Sequence, residues 1–197
     1  KSELSNLEKN IRLYRAKGIK LHQAWNPFKI DGREFKMLSD IAAFNLMPIF
    51  IHLYSKKDAV KLLNFIKENQ NTIFIVGHMT GIDIFGEEKQ YLRNVYFDTS
   101  GSMKIENGIL TKAIDTLGYD HIVFGTNTPF ASIDDQINKI ERLNLTDDQK
   151  ERIFSLNMKD ILAINIEGIP HLNYTENSYR ITTLSEYYEL MDPDKSV

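Results

Sequence analysis

Short apolar segments alternate along the chain with segments of helical periodicity. In the helical segments apolar residues recur three and four positions apart, which places them on one face of a helix. The apolar segments are shorter and almost continuously hydrophobic, which is typical of parallel strands covered on both faces. They predict five strands, at residues 18–25, 48–53, 72–79, 95–100 and 121–127.

The predicted strands begin at regular intervals. With starts at positions 19, 48, 72, 95 and 121, each strand follows the previous one by 23 to 29 residues. One strand and its crossover helix occupy about this length, so the spacing predicts an α/β fold with a parallel sheet and right-handed crossovers.

Helical patterns also flank the predicted sheet. The first 18 residues form one amphipathic pattern, residues 133–143 form another, and a last helix is predicted from about 147 to 162. Thr146 and Gln149 have the capping-box spacing that starts such a helix. The final 34 residues break the rhythm and are rich in tyrosine, which indicates an extension that packs on the domain or on a partner.

Composition narrows the classes of function. The chain has 197 residues, of which 42% are hydrophobic and 26% charged, and its net charge of −3 argues against a nucleic-acid partner. No apolar run approaches the roughly 18 residues that cross a bilayer, so no membrane partner is expected. The sequence has no cysteine, which excludes thiolate chemistry and makes a cytoplasmic location the expectation. A homo-oligomer is an open alternative to a monomer.

Histidines end three successive predicted strands: His22, His52 and His78. Ligands of parallel α/β sheets bind at the carboxyl ends of the strands, and neutral imidazole nitrogen is a good ligand for Zn²⁺. The pattern therefore predicts that the three rings converge on one site, although any single one could be a hydrogen-bonded structural histidine. Lys20 lies on the same strand face as His22, where it could bind an anionic group or extend along the rim.

Two other polar or aromatic features are interpreted as structural. Asp98 opens the sequence Asp-Thr-Ser-Gly, in which side chains commonly bond to nearby backbone groups, so a turn role is favoured over that of a site carboxylate. Trp25 is expected to contribute packing rather than recognition.

The same strand-end residues carry a resemblance to a known family. The strings GIKLHQAW, MPIFIHLYS, FIVGHMTG, VYFDTSG and HIVFGTNTPF, followed by LNLTDDQKERIFSLNMKDIL, resemble amidohydrolase family 2, a branch of metal-dependent (β/α)8 hydrolases and decarboxylases. The resemblance covers about residues 10 to 165. It implies that residues 1–163 supply strands four to eight of a TIM-type barrel, and that residues 164–197 form a C-terminal extension.

The resemblance also implies roles for individual residues. His52 would be a metal ligand, His78 a metal ligand and catalytic group, and Lys20 and His22 would bind substrate. Asn127 stands at a catalytic position where the family has aspartate, which binds metal and can move a proton. A divalent metal, with zinc as the expected ion, is implied for a complete protein, whereas this chain alone is expected to hold it weakly or not at all.

These observations support two hypotheses of function. In the first, the chain is the C-terminal part of a metal-dependent enzyme that hydrolyses a C–N, ester or lactone bond of a small molecule, or decarboxylates it, and the remaining strands lie outside this sequence. In the second, the chain is a non-catalytic relative that acts as a binding or interaction module, because Asn127 replaces the expected carboxylate. A self-contained five-stranded domain is a third option, but it would give the convergent histidines no obvious purpose.

Overall fold

A computed structural model describes residues 2–25, 28–101 and 107–162. The chain divides into two units, one of residues 18–165 and the other of residues 1–17 with 166–197. The described part of the smaller unit contains helix α1 (Ser2–Tyr14). The predicted C-terminal extension, residues 164–197, lies outside the described residues.

The larger unit alternates strands and helices. Its elements are β1 (Ile19–His22), α2 (Arg33–Phe44), β2 (Ile49–His52), α3 (Lys56–Glu68), β3 (Phe74–Val76), α4 (Ile82–Gly86), β4 (Val95–Asp98), α5 (Asn107–Leu117), β5 (Ile122–Val123), α6 (Ile133–Glu141), α7 (Asp147–Glu151) and α8 (Asn157–Ile161). A π-helical turn joins α7 to α8, so the helical backbone continues between them. Among the described helices, none combines the length and apolar character needed to cross a bilayer.

All five strands are parallel and adjacent in chain order, β1-β2-β3-β4-β5. This confirms the parallel α/β sheet that the spacing predicts. The strands are shorter than the apolar segments because their ends turn into loops: β3 stops at Val76, and a 3₁₀ turn carries His78. The register aligns His22 directly with His52.

The two faces of the sheet have different surroundings. One face packs against helices in the main core, where Ile51 and Phe97 are fully buried with Leu62 of α3. On the other face, Ile75 and Val123 form a second, smaller cluster. Since side chains alternate along a strand, this second face also presents Lys20, His22, Phe50, His52, Tyr96 and Asp98.

The last helical segment closes the outer edge of β5. The Phe124 amide donates a hydrogen bond of 2.9 Å to the Ile153 carbonyl, which lies in the π-helical turn. The Asn157 side chain donates to the carbonyl of Ile122 at 2.7 Å. The helix thus satisfies backbone groups that an open sheet edge would leave unpaired. Its start carries the predicted capping box of Thr146 and Gln149, with both bonds formed.

Candidate functional site

Three imidazole rings meet at the carboxyl ends of β1, β2 and β3. The ring centroids of His22 and His52 are 4.0 Å apart, and those of His52 and His78 are 4.5 Å apart. The structure therefore brings together the three histidines that end successive predicted strands; we call them the histidine cluster. His22 also has a buried Nδ1 atom with no hydrogen-bond partner.

Lys20 and Trp25 border the histidine cluster on β1 and the loop after it. The Lys20 ammonium lies 4.8 Å from the centre of the Phe50 ring and remains exposed. Trp25 stacks on His22 with ring centroids 4.2 Å apart, yet 74% of the Trp25 residue surface is exposed. Trp25 therefore packs against a site histidine rather than in the core, and it leaves one indole face open to solvent.

His52 is held as a neutral imidazole at neutral pH. Burial, followed by electrostatic interaction with His78, His22 and Lys20, lowers the pKa of His52 from 6.5 to about 4. A neutral ring keeps a nitrogen lone pair for a metal ion or a proton. The crowding of basic groups at the strand ends thus favours the protonation state that a ligand requires.

The lowered pKa of His52 predicts a loss of stability in mild acid. The unfolded chain takes up the proton near pH 6.5 and the folded chain only near pH 4, so the free energy of unfolding should fall as the pH drops through this range. The full shift corresponds to about 3 kcal/mol, but partial solvation reduces the expected loss to about 1 to 2 kcal/mol. Urea unfolding at a series of pH values measures it.

Two variants make the acid prediction specific. In His52→Gln the pH dependence over this interval should be reduced, because the titrating ring is gone. His121→Gln serves as the matched control, since the His121 ring lies elsewhere and bonds to the Val95 carbonyl at 2.7 Å. Equal pH dependence in His52→Gln and the unmodified chain would contradict the assignment to His52.

His78 occupies an unusual backbone position supported by the end of β4. Its φ and ψ are 57° and 24°, in the left-handed region that residues with a side chain rarely adopt. The Asp98 carboxylate accepts a hydrogen bond of 2.5 Å from the His78 backbone N–H. The His78 ring nitrogen Nδ1 lies 2.9 Å from the carbonyl oxygen of Ser100 and 3.1 Å from its hydroxyl.

Asp98 is the buried centre of these contacts, with only 4% of its surface exposed. Its carboxylate also accepts a hydrogen bond from the Ser100 hydroxyl. Burial raises the pKa of Asp98, while the bonds from Ser100 and the His78 backbone oppose the rise. Asp98 therefore forms the hydrogen bond within its own turn that the sequence predicts, and it also accepts one from a site histidine 20 residues earlier in the chain.

Lys139 and Gly125 complete the surroundings of Asp98, and sequence reasoning missed both. The Lys139 ammonium donates to the Thr99 carbonyl at 2.6 Å; burial lowers the pKa of Lys139, and the charge of Asp98 partly offsets this. A Cβ atom at Gly125 would lie 3.0 Å from the Cβ of Ser100 and still closer to the Asp98 carboxylate. Gly125 lies in the strand-end string HIVFGTNTPF, but a glycine there carries no chemical signal, and Lys139 lies on helix α6 away from the strand ends.

Asn127 lies on the loop after β5. Its φ is 58°, in the left-handed region that asparagine tolerates better than most residues, and its carbonyl accepts a hydrogen bond of 2.9 Å from the Phe130 amide. Within the part of the chain that the structure describes, no side-chain hydrogen bond joins Asn127 to the histidine cluster. The catalytic role assigned to Asn127 therefore stays a prediction.

The donor set for a metal ion is incomplete among residues 2–25, 28–101 and 107–162. No group of three or more His, Cys, Asp or Glu side chains in these ranges is arranged to hold a metal ion. His52 and His78 offer two ring nitrogens, whereas a tetrahedral zinc site needs three or four protein ligands. These residues are compatible with part of a metal site and do not form a whole one.

Comparison with known proteins places these features in a family. The sequence profile of the amidohydrolase family matches residues 2–163, and no curated protein sequence matches the chain significantly. Among solved structures, 2,6-dihydroxybenzoate decarboxylase from Rhizobium has a TM-score of 0.69 at 15% identity, and the match covers 81% of this chain and 66% of the decarboxylase.

Two further structures show the same fold. Dihydroxybenzoic acid decarboxylase from a Polaromonas species, solved with bound manganese and the inhibitor 2-nitroresorcinol, has a TM-score of 0.65 at 17% identity over 88% of this chain and 66% of its own. For 4-oxalomesaconate hydratase from Rhodopseudomonas palustris the TM-score is 0.62 at 16% identity, over 80% of this chain and 59% of its own. The chain thus spans less than two thirds of the length of these three relatives.

The structural likeness confirms the predicted fold class, in which the five strands are part of a TIM-type barrel. The sequence profile extends over most of the chain and includes all three members of the histidine cluster. On these grounds the chain belongs to the amidohydrolase family.

Proposed function

We propose that this chain is the C-terminal part of a metal-assisted enzyme that hydrolyses or decarboxylates a small molecule. The observation that carries the proposal is the histidine cluster, three rings in contact at the carboxyl ends of adjacent parallel strands, where such sheets bind their ligands. The family relatives named above support a small-molecule substrate, since they include two decarboxylases of hydroxylated benzoates and a hydratase.

The proposed cofactor is a divalent metal ion. Among the described residues His52 and His78 would contribute ring nitrogens, and the remaining ligands would come from the part of the barrel that these five strands do not supply. Zinc is the ion expected from the nitrogen donors, whereas one relative carries manganese. When bound, such an ion would polarise an oxygen of the substrate or of water.

Three residues at the strand ends would have complementary roles in the proposed reaction. Lys20 projects a cation at the border of the cluster, where it would bind an anionic group of the substrate. His22, covered by Trp25, would contact the same substrate. As an alternative to binding the metal ion, the free ring nitrogen of His78 would accept or return a proton, because imidazole is the commonest general base in enzymes.

Metal titration tests the proposed site. Zn²⁺ and Mn²⁺ added separately to the chain should bind weakly, because the donor set is incomplete, and Mn²⁺ should broaden the ring resonances of His52 and His78 through its unpaired electrons. His52→Gln should abolish this binding, whereas His121→Gln should leave it unchanged. Broadening that is the same in His52→Gln, or tight stoichiometric binding of either ion by the chain alone, would contradict the proposed incomplete site.

Asn127 favours a second candidate, a non-catalytic relative that binds a ligand without turnover. A neutral amide is a weaker ligand than a carboxylate and does not accept a proton at neutral pH. If this candidate is right, Asn127→Asp should strengthen Zn²⁺ binding and introduce turnover that the unmodified protein lacks. Hydrolytic or decarboxylating turnover by the protein with Asn127 intact would exclude it.

A further inference from the structure

We propose that Asp98 and Ser100 act as positioning residues that fix the tautomer of the His78 ring. In this arrangement Nδ1 of His78 carries the proton, and Nε2 keeps its lone pair. The proposal deepens the proposed function, because it states which nitrogen of His78 is available to a metal ion or a substrate proton.

The hydrogen bonds at Nδ1 of His78 have a defined direction. The Ser100 backbone carbonyl lies 2.9 Å from Nδ1 of His78 and can only accept a hydrogen bond. Nδ1 therefore donates, and in a neutral ring it is the protonated nitrogen. A ring with one protonated nitrogen leaves the other free to act as an acceptor.

Asp98 fixes the orientation of the Ser100 hydroxyl. A serine hydroxyl can donate or accept, but here it donates its only proton to the Asp98 carboxylate. Its oxygen, 3.1 Å from Nδ1 of His78, is thus restricted to accepting. Asp98 in this way prevents the Ser100 hydroxyl from donating to Nδ1, which would favour the other tautomer.

Asp98 also holds the backbone of His78 in place. Asp98 accepts from the His78 backbone N–H at 2.5 Å while His78 has a φ of 57°. Residues with a side chain hold such a conformation only when the surroundings enforce it. One carboxylate, 4% exposed, thus fixes both the main chain of His78 and the hydrogen bonding of its ring, through two separate oxygen atoms.

These contacts leave Nε2 of His78 as the nitrogen that can bind a metal ion or accept a proton. In metal and acid-base sites, the hydrogen bond made by one ring nitrogen determines which nitrogen is left to bind the ligand. Because the Nδ1 side of His78 faces Ser100, the Nε2 side is the one left for the site.

Long-range ¹H–¹⁵N spectra of the full chain, with ¹⁵N-labelled histidine, report the tautomer directly. Spectra are recorded at alkaline pH with a chelator present, so that neither a proton nor a metal ion selects the tautomer. The unmodified chain should show Nδ1 of His78 protonated and Nε2 unprotonated. His121 provides an internal control, because its Nδ1 faces the Val95 carbonyl at 2.7 Å and should stay protonated in every variant.

Three variants separate positioning from a merely structural role. In Asp98→Asn the amide can donate to the Ser100 oxygen, which frees the hydroxyl proton to point at Nδ1; the shifts of His78 should move toward the Nε2-protonated tautomer. In Ser100→Ala the backbone carbonyl remains, so the Nδ1-protonated tautomer should persist. The double variant Asp98→Asn with Ser100→Ala removes the competing hydroxyl and should therefore restore the Nδ1-protonated tautomer of His78.

The outcomes are distinct from those of the metal titration, since the spectra need neither metal nor substrate. Nε2 protonation of His78 in the unmodified chain or in Ser100→Ala would overturn the inference. Unchanged His78 shifts in a folded Asp98→Asn variant would overturn the role of Asp98. If Asp98→Asn does not fold, the unmodified chain and Ser100→Ala still decide whether Ser100 sets the tautomer.

Discussion

Replacement of Asn157 by leucine is expected to lower the free energy of unfolding by about 2 to 4 kcal/mol. The Asn157 amide group donates to the carbonyls of Tyr119 at 2.8 Å and Ile122 at 2.7 Å, and only 1% of the residue is exposed. Leucine fills a similar volume but has no donor. Each buried carbonyl left without a partner costs about 1 to 3 kcal/mol.

Urea unfolding followed by circular dichroism measures the effect of Asn157→Leu. The matched control is Asn138→Leu on helix α6, where the same change occurs at an exposed position and should alter stability by less than about 0.5 kcal/mol. A similar small change at both positions would show that Asn157 does not hold the last helix on β5.

Replacement of Gly125 by alanine is expected to cost about 2 to 3 kcal/mol. The added methyl group would lie 3.0 Å from the Cβ of Ser100 and would overlap an oxygen of the Asp98 carboxylate. Overpacking of this kind costs about 1 to 3 kcal/mol. We expect a cost at the upper end of this range. The Asp98 carboxylate accepts hydrogen bonds from the His78 backbone and from Ser100, and it cannot move away without breaking them.

The control for Gly125→Ala is Gly108→Ala, because no described atom lies within 4 Å of a Cβ built at Gly108. Gly108 is in helix α5, where alanine should be neutral or stabilising by up to about 1 kcal/mol. The stability of both variants is measured by urea unfolding. A Gly125→Ala variant as stable as Gly108→Ala would mean that the Asp98 carboxylate is free to move aside.

Local pattern was sufficient to predict most of the fold. A strand buried on both faces needs a continuous apolar run, and a covering helix needs one apolar side, so the regular alternation of the two predicts a parallel sheet. The capping box at Thr146 is likewise a local signal that the structure confirms. The π-helical turn before Asn157 was not predicted; it coincides with the bond from the Phe124 amide to Ile153, a contact between residues distant in sequence.

The histidine cluster was also predictable, because its convergence follows from topology. Residues that end adjacent parallel strands must lie near one another, and the register places His22 opposite His52. The roles of Lys20, His22, His52, His78 and Asn127 as substrate, metal or catalytic residues stay predictions.

Only the tertiary structure decided how His78 is supported. Asp98 and Ser100 form hydrogen bonds with His78, and Gly125 lies close to both of them, so segments 20 or more residues apart come together here. No periodic pattern in the sequence predicts which distant segments make such contacts. By itself the sequence determined that strands and helices alternate in a parallel sheet and that three histidines share one end of it, because hydrophobic periodicity and chain order are local properties. Burial, protonation and hydrogen-bond direction depend instead on which distant segments pack together, and therefore became visible only in the folded chain.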